Sequence, residues 1–140
     1  MVSSGWPTPE AGEIVWCRFP RDLLRHSQTH KPRPALVGRV YDDKTPHYVA
    51  LVAYGTSQKT DELHSGEFLI GLQDAAAYRM AGLSFPTKFN FRQCVELPYN
   101  DTWFLVPPGA PCGQTPKLGI LHPSLIRRAH TAWIAAGNVD

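Results

Sequence analysis

The sequence predicts a mainly β fold with helices, of the α+β class, on three observations. Thirteen prolines and eleven glycines in 140 residues break the chain too often for a helical bundle. Its apolar runs are short, β-branched and aromatic, and bounded by turn residues. Helical spacing of apolar residues is clearest near the C terminus. Apolar content of 43% and charged content of 19% argue against a disordered or fibrous chain. A formal charge of +2 permits local nucleic-acid contact without announcing it.

Residues 1–11 read as a flexible N-terminal arm in which Trp6 is able to dock, and residues 12–140 as one domain. Gly12 to Phe19 predicts a strand that Pro20 stops. Alternation sets Ile14, Trp16 and Arg18 on one face and Val15, Cys17 and Phe19 on the other. Arg21 to Pro32 is a basic loop carrying Arg21, Arg25, His26, His30 and Lys31. Ala35 to Tyr41 and Tyr48 to Tyr54 are the next strands, joined through the turn-forming Asp42 to Pro46. Glu67 to Ile70 is a short strand, and the alanine-rich Leu72 to Ala81 a helix ended by Gly82. Lys88 to Leu97 and Trp103 to Val106 read as the fifth and sixth strands, and Gly109 to Lys117 as irregular. Leu125, Ala129, Ala132, Trp133 and Ala136 give a helix over Ser124 to Ala136, with Arg127 and Arg128 on a solvated face.

Cys17, Cys94 and Cys112 lack zinc-knuckle spacing, and the six histidines lack His-x-x-x-His spacing, so no metal is expected. No signal sequence is evident, and no apolar run approaches the roughly 20 residues that cross a bilayer. A cytoplasmic chain with reduced thiols is the expectation.

Chemistry concentrates in two stretches. In Lys31-Pro32-Arg33-Pro34 two prolines fix φ on either side of Arg33 and mount one guanidinium just before a strand. Its planar fork suits phosphate and never loses its charge. In Gly55-Thr56-Ser57-Gln58 two hydroxyls and an amide follow a strand end and can donate to the same oxygens. If the strands are neighbours, the two stretches make a phosphate-handling site. His64, near Asp61 and Glu62, has an imidazole whose ordinary pKa of about 6.5 suits acid–base work, although loop histidines are usually solvated. Trp16, Phe19, Trp103 and Phe104 read as core or contact residues rather than stacking platforms.

Gly12-Glu13-Ile14-Val15-Trp16, the Phe19-Pro20 stop, Arg33-Pro34-Ala35-Leu36-Val37 and Thr56-Ser57-Gln58 together resemble the MazF/PemK family of bacterial toxins. The resemblance spans Gly12 to Ile70, and more weakly Thr87 to Leu97. It implies a small SH3-like β-barrel of the MazF/PemK/CcdB type with a C-terminal helix, usually a homodimer. It implies a metal-independent endoribonuclease acting on single-stranded RNA and neutralised by a cognate antitoxin. The 2′-hydroxyl attacks phosphorus, leaving a 2′,3′-cyclic phosphate and a 5′-hydroxyl. Arg33 matches the family's catalytic arginine. Ser57 holds the place of its catalytic threonine, with Thr56 one residue before as the other choice. Arg21, Arg25, Lys31, Gln58 and His64 are the expected substrate-binding residues. The chain departs from the family at Gly38-Arg39-Val40 and adds Gly71 to Pro86 and Tyr99 to Pro116. A barrel that only binds nucleic acid or a partner protein is the alternative, as is a topoisomerase poison of related fold.

Overall fold

The computed structural model describes residues 6–20, 31–42 and 48–138. Six strands make one sheet, every neighbouring pair antiparallel: β1 (Glu13–Cys17), β2 (Arg33–Asp42), β3 (Tyr48–Thr56), β4 (Glu67–Ile70), β5 (Thr87–Pro98) and β6 (Lys117–Ile120). Their spatial order is β4-β5-β3-β2-β1-β6. Helix α1 (Ala75–Met80) follows β4, and α2 (Ile126–Ala135) follows a single 3₁₀ turn at Pro123–Leu125. The fold is therefore mainly β with a short C-terminal helix. Among the described residues no helix is long and apolar enough to cross a membrane.

Period-2 alternation sorts the apolar residues into two clusters, one on each side of the sheet. Ile14, Leu36, Ala53, Phe68 and Phe89 pack beneath the helices with Ala77, Leu125, Ala129 and Ala132. Val15, Cys17, Phe19, Ala35, Val37, Val52 and Leu97 form the outer cluster with Tyr99 and Phe104. The faces predicted for Ile14 and for Val15, Cys17 and Phe19 are the faces observed. Burial pushes the Cys17 thiol up strongly and the Cys94 thiol up to about 11, so both behave as packing groups rather than nucleophiles.

Three ladder irregularities interrupt the sheet, the first leaving Leu118 of β6 extra between the partners of Ile14 and Val15. Gly38 is extra in β2 between Val37 and Arg39, whose partners Val52 and Leu51 are consecutive in β3. Phe91, Arg92 and Gln93 fall between the β5 partners of Ala53 and Tyr54. The displaced Arg92 donates from Nε to the Ser65 carbonyl (3.0 Å) and from Nη2 to that of Ala135 (3.4 Å). Lys88 and Glu67 form a buried ion pair at 3.2 Å, and Lys88 Nζ also donates to the Glu62 carbonyl (2.7 Å). Arg128 donates to Asp74 (3.0 Å) and to the Leu69 carbonyl (2.9 Å), fastening α2 over β4.

Several elements differ from expectation. Trp103 to Val106 is not a strand. The Trp103 and Phe104 amides bond back to the Asn100 carbonyl in a turn, and Phe104 makes one isolated bridge to Cys17. The sixth strand is instead Lys117–Ile120, paired with β1. Helix α1 is shorter than Leu72 to Ala81. Asp74 Oδ2 accepts the Gly71 amide (3.0 Å), and that turn delays helix entry. Trp6 of the arm docks, as the sequence allowed, with its ring edge-on to Tyr99 at 5.6 Å. Arg127 and Arg128 lie on an exposed face as expected, and Arg128 in addition ties α2 to Asp74 and Leu69. The expected turn after Asp42 falls on residues 43–47, outside the described residues.

Candidate functional site

β2 and β3 are neighbours, and their register brings the two candidate stretches together. Ala35 pairs with Tyr54, and that ladder, continued to the strand ends, sets Pro34 beside Gly55 and Arg33 beside Thr56. The approach at Gly55 is close. A Cβ there would stand 2.5 Å from the Pro34 carbonyl oxygen and 2.8 Å from the Phe89 ring, so only glycine fits. Trp16 pairs with Pro34 on the other side, and one cross-strand row runs through three strands.

A cavity of about 200 Å³ lies at this end of the sheet. Lys31, Arg33, Thr56 and Ser57 line it together with that row. The far wall comes from Gly82 to Phe85, after α1, and from Leu118 of β6. Arg33 alternates with Ala35 and Val37 of the outer cluster, whereas Pro34 alternates with Leu36 beneath the helices. The cavity therefore wraps around the strand ends, with contributions from both faces.

Arg33 has a stiff mount. Its guanidinium lies over the Tyr54 ring, 5.8 Å from the centroid. Tyr54 in turn packs edge-on against Phe19 at 5.2 Å, and Phe19 is 1% exposed. The Arg33 Nε is buried and has no hydrogen-bond partner among the described residues. A buried donor left unpaired costs about 1–3 kcal/mol, so its retention calls for an explanation.

The hydroxyls differ. Thr56 Oγ1 accepts the Gln58 amide at 3.0 Å, which closes the turn after β3. Its own proton stays available for donation. Ser57 is exposed. Of the residues predicted to bind substrate, Lys31 lines the cavity, and Gln58 sits just outside it with its amide on Thr56. His64 lines a separate cavity beside β4 and α2, with no lining residue in common. Arg21, Arg25, His26 and His30 lie outside the described residues.

Among the described lining residues none is a carboxylate or an imidazole. The arrangement offers fixed positive charge and hydroxyl donors rather than a conventional acid–base pair. No group of three or more potential metal ligands exists among the described residues. Trp16, Ser84, Phe85 and Leu118 were not expected at the site. Trp16 reads in sequence as core, and nothing local in Gly82 to Phe85 reveals what it faces. Scans against protein-family models and a search of curated proteins return no match for the chain.

Proposed function

We propose that this chain is a metal-independent endoribonuclease of the toxin kind, built on an SH3-like barrel and cutting single-stranded RNA. The observation that carries the reading is the shared cavity. Lys31, Arg33, Thr56 and Ser57 line one recess, and a buried guanidinium nitrogen there lacks a partner among the described residues.

The chemistry follows from charge. Attack of the 2′-hydroxyl on phosphorus forms a P–O2′ bond and breaks the P–O5′ bond. In between, negative charge gathers on the non-bridging oxygens. Arg33, held over Tyr54, is preorganised for that charge and need not move as it develops. Lys31 steadies the neighbouring phosphate. Thr56 or Ser57 donates to a phosphoryl oxygen or passes a proton between the 2′-oxygen and the departing 5′-oxygen. Water carries the remaining proton traffic, since the described lining has no histidine or acid. The same reading makes the chain a cytoplasmic homodimer silenced by a cognate antitoxin.

The test incubates pure protein with mixed RNA in chelator and analyses fragment ends. Discrete fragments with cyclic phosphate ends are expected. Arg33→Ala should stop cleavage and growth inhibition while the thermal melt is retained. Wild-type cleavage by that variant would remove Arg33 from the mechanism. A binding-only barrel is the second reading, favoured by the Thr56 hydroxyl already engaged with the Gln58 amide. Intact RNA that is nevertheless retained by the protein would select it.

A further inference from the structure

The two segments that lie outside the family resemblance, Gly71 to Pro86 and Tyr99 to Pro116, meet beside the candidate site. A second cavity of about 270 Å³ adjoins the first and shares Trp16, Gly82, Ser84 and Leu118 with it. Its remaining wall is the turn from Pro107 to Pro111. One cleft thus runs from Lys31 and Arg33, across Trp16, to that proline-rich wall.

Both walls are fixed. The Trp16 amide donates to the Pro116 carbonyl (2.8 Å), and the Leu105 amide donates to that of Trp16 (3.1 Å). The stretch from Leu105 to Pro116 of the second segment is thereby tied to Trp16 at both ends. In the first segment, Gly82 has φ +71 and abuts the Leu118 carbonyl so closely that any Cβ would collide. Within the proline wall Ala110 holds φ +42, a left-handed value uncommon for a residue with a side chain. Prolines at 107, 108 and 111 stiffen the backbone around it.

The chemistry changes along the cleft. One end carries two cations. Among the described residues, the other end is lined by no charged side chain and offers an indole, a leucine, prolines and the Ser84 hydroxyl. Phe85, 66% exposed, stands at the lining of the first cavity. An anion site that opens onto a neutral, aromatic slot has the polarity of a nucleotide, phosphate first and base beyond.

We propose that this slot is a base-binding subsite that takes one unpaired nucleobase of single-stranded RNA, next to the phosphate held by Arg33. The proposal rests on the nuclease reading for the identity of that phosphate. The base packs against Trp16, Ser84 supplies a hydrogen bond to its edge, and the proline wall limits its size. A base inside a duplex is stacked and cannot enter, so the subsite also selects unpaired RNA.

The test separates binding from cleavage. Short 2′-fluoro RNA oligonucleotides, which lack the attacking hydroxyl, carry an abasic residue at each position in turn. They are titrated against wild type and against Ser84→Trp, which fills the throat between the two cavities. Ser84→Leu serves if the tryptophan variant melts early. In wild type, one abasic position should weaken binding by about tenfold or more, as expected for loss of one stacked base. In the Ser84 variant that penalty should disappear. Equal affinity of wild type for every oligonucleotide would overturn the subsite, and so would an unchanged penalty in the variant. A base penalty without cleavage of natural RNA sinks the nuclease and leaves the subsite. Cleavage without a base penalty does the reverse.

Discussion

Charge is treated in opposite ways on two sides of β3: on β4, β5 and α2, and at the start of β2. On β5 and α2, three cations are matched. Lys88 meets Glu67, Arg128 meets Asp74 and Leu69, and Arg92 meets Ser65 and Ala135. At the start of β2 the Arg33 Nε is buried with no hydrogen-bond partner among the described residues. The matched charges hold elements together. The unmatched donor holds nothing visible, yet a ring stack ending on Phe19 immobilises its side chain. One set is satisfied from within the protein, and the Arg33 Nε is not.

Breaking the matched set should cost most. Lys88→Met strands the Glu67 carboxylate in a buried place and should lower the unfolding free energy by about 3–5 kcal/mol, read by urea denaturation. Arg33→Met sharpens the contrast from the other side. It removes an unpaired buried donor, so stability should hold or rise, while RNA cleavage should fall by about 10²–10³-fold. A large loss of stability in that variant would make Arg33 a structural residue and erase the comparison. Gly55→Ala tests whether close backbone approach builds the site. Its Cβ meets the Pro34 carbonyl, and overpacking of that kind costs about 1–3 kcal/mol, with a matching loss of cleavage.

The smallest effect concerns the exposed pair. The Arg128 guanidinium beside Asp74 holds its carboxyl below the usual carboxylate range. A depressed folded value stabilises the protein above the unfolded pKa of about 3.9, and that contribution is lost as pH falls through the folded value. Arg128→Gln should remove this acid sensitivity and cost less than about 1 kcal/mol at neutral pH, because Arg128 is substantially exposed. Denaturant midpoints measured from neutral to strongly acidic pH decide it.

Much of the sheet was legible because alternation and turn residues are local signals. Ile14 and Val15 announce their opposite faces, and Glu67 to Ile70 appears with its predicted bounds. Lys117–Ile120 escaped because it is four residues long and interrupted by Gly119. Trp103 and Phe104 misled because aromatic residues suit any buried surface, and here a turn delivers Phe104 to the outer cluster. The Arg33 and Thr56 half of the site was legible as the ends of two consecutive strands. The other half was not. Nothing near Ser84 or Pro108 in the chain encodes their meeting over Trp16, which depends on contacts distant in sequence.

The glycine pair at β6 has a consequence for self-association. Gly82 and Gly119 let the backbone after α1 press directly onto the outermost ladder position, while on the opposite flank Arg128 occupies the Leu69 carbonyl. Part of each lateral rim is thus covered by the chain itself, which works against a second copy adding its ribbon to this one. Self-association is therefore expected to run through side chains on the faces or loops, and surface substitutions there should disturb it more than prolines in β4 or β6.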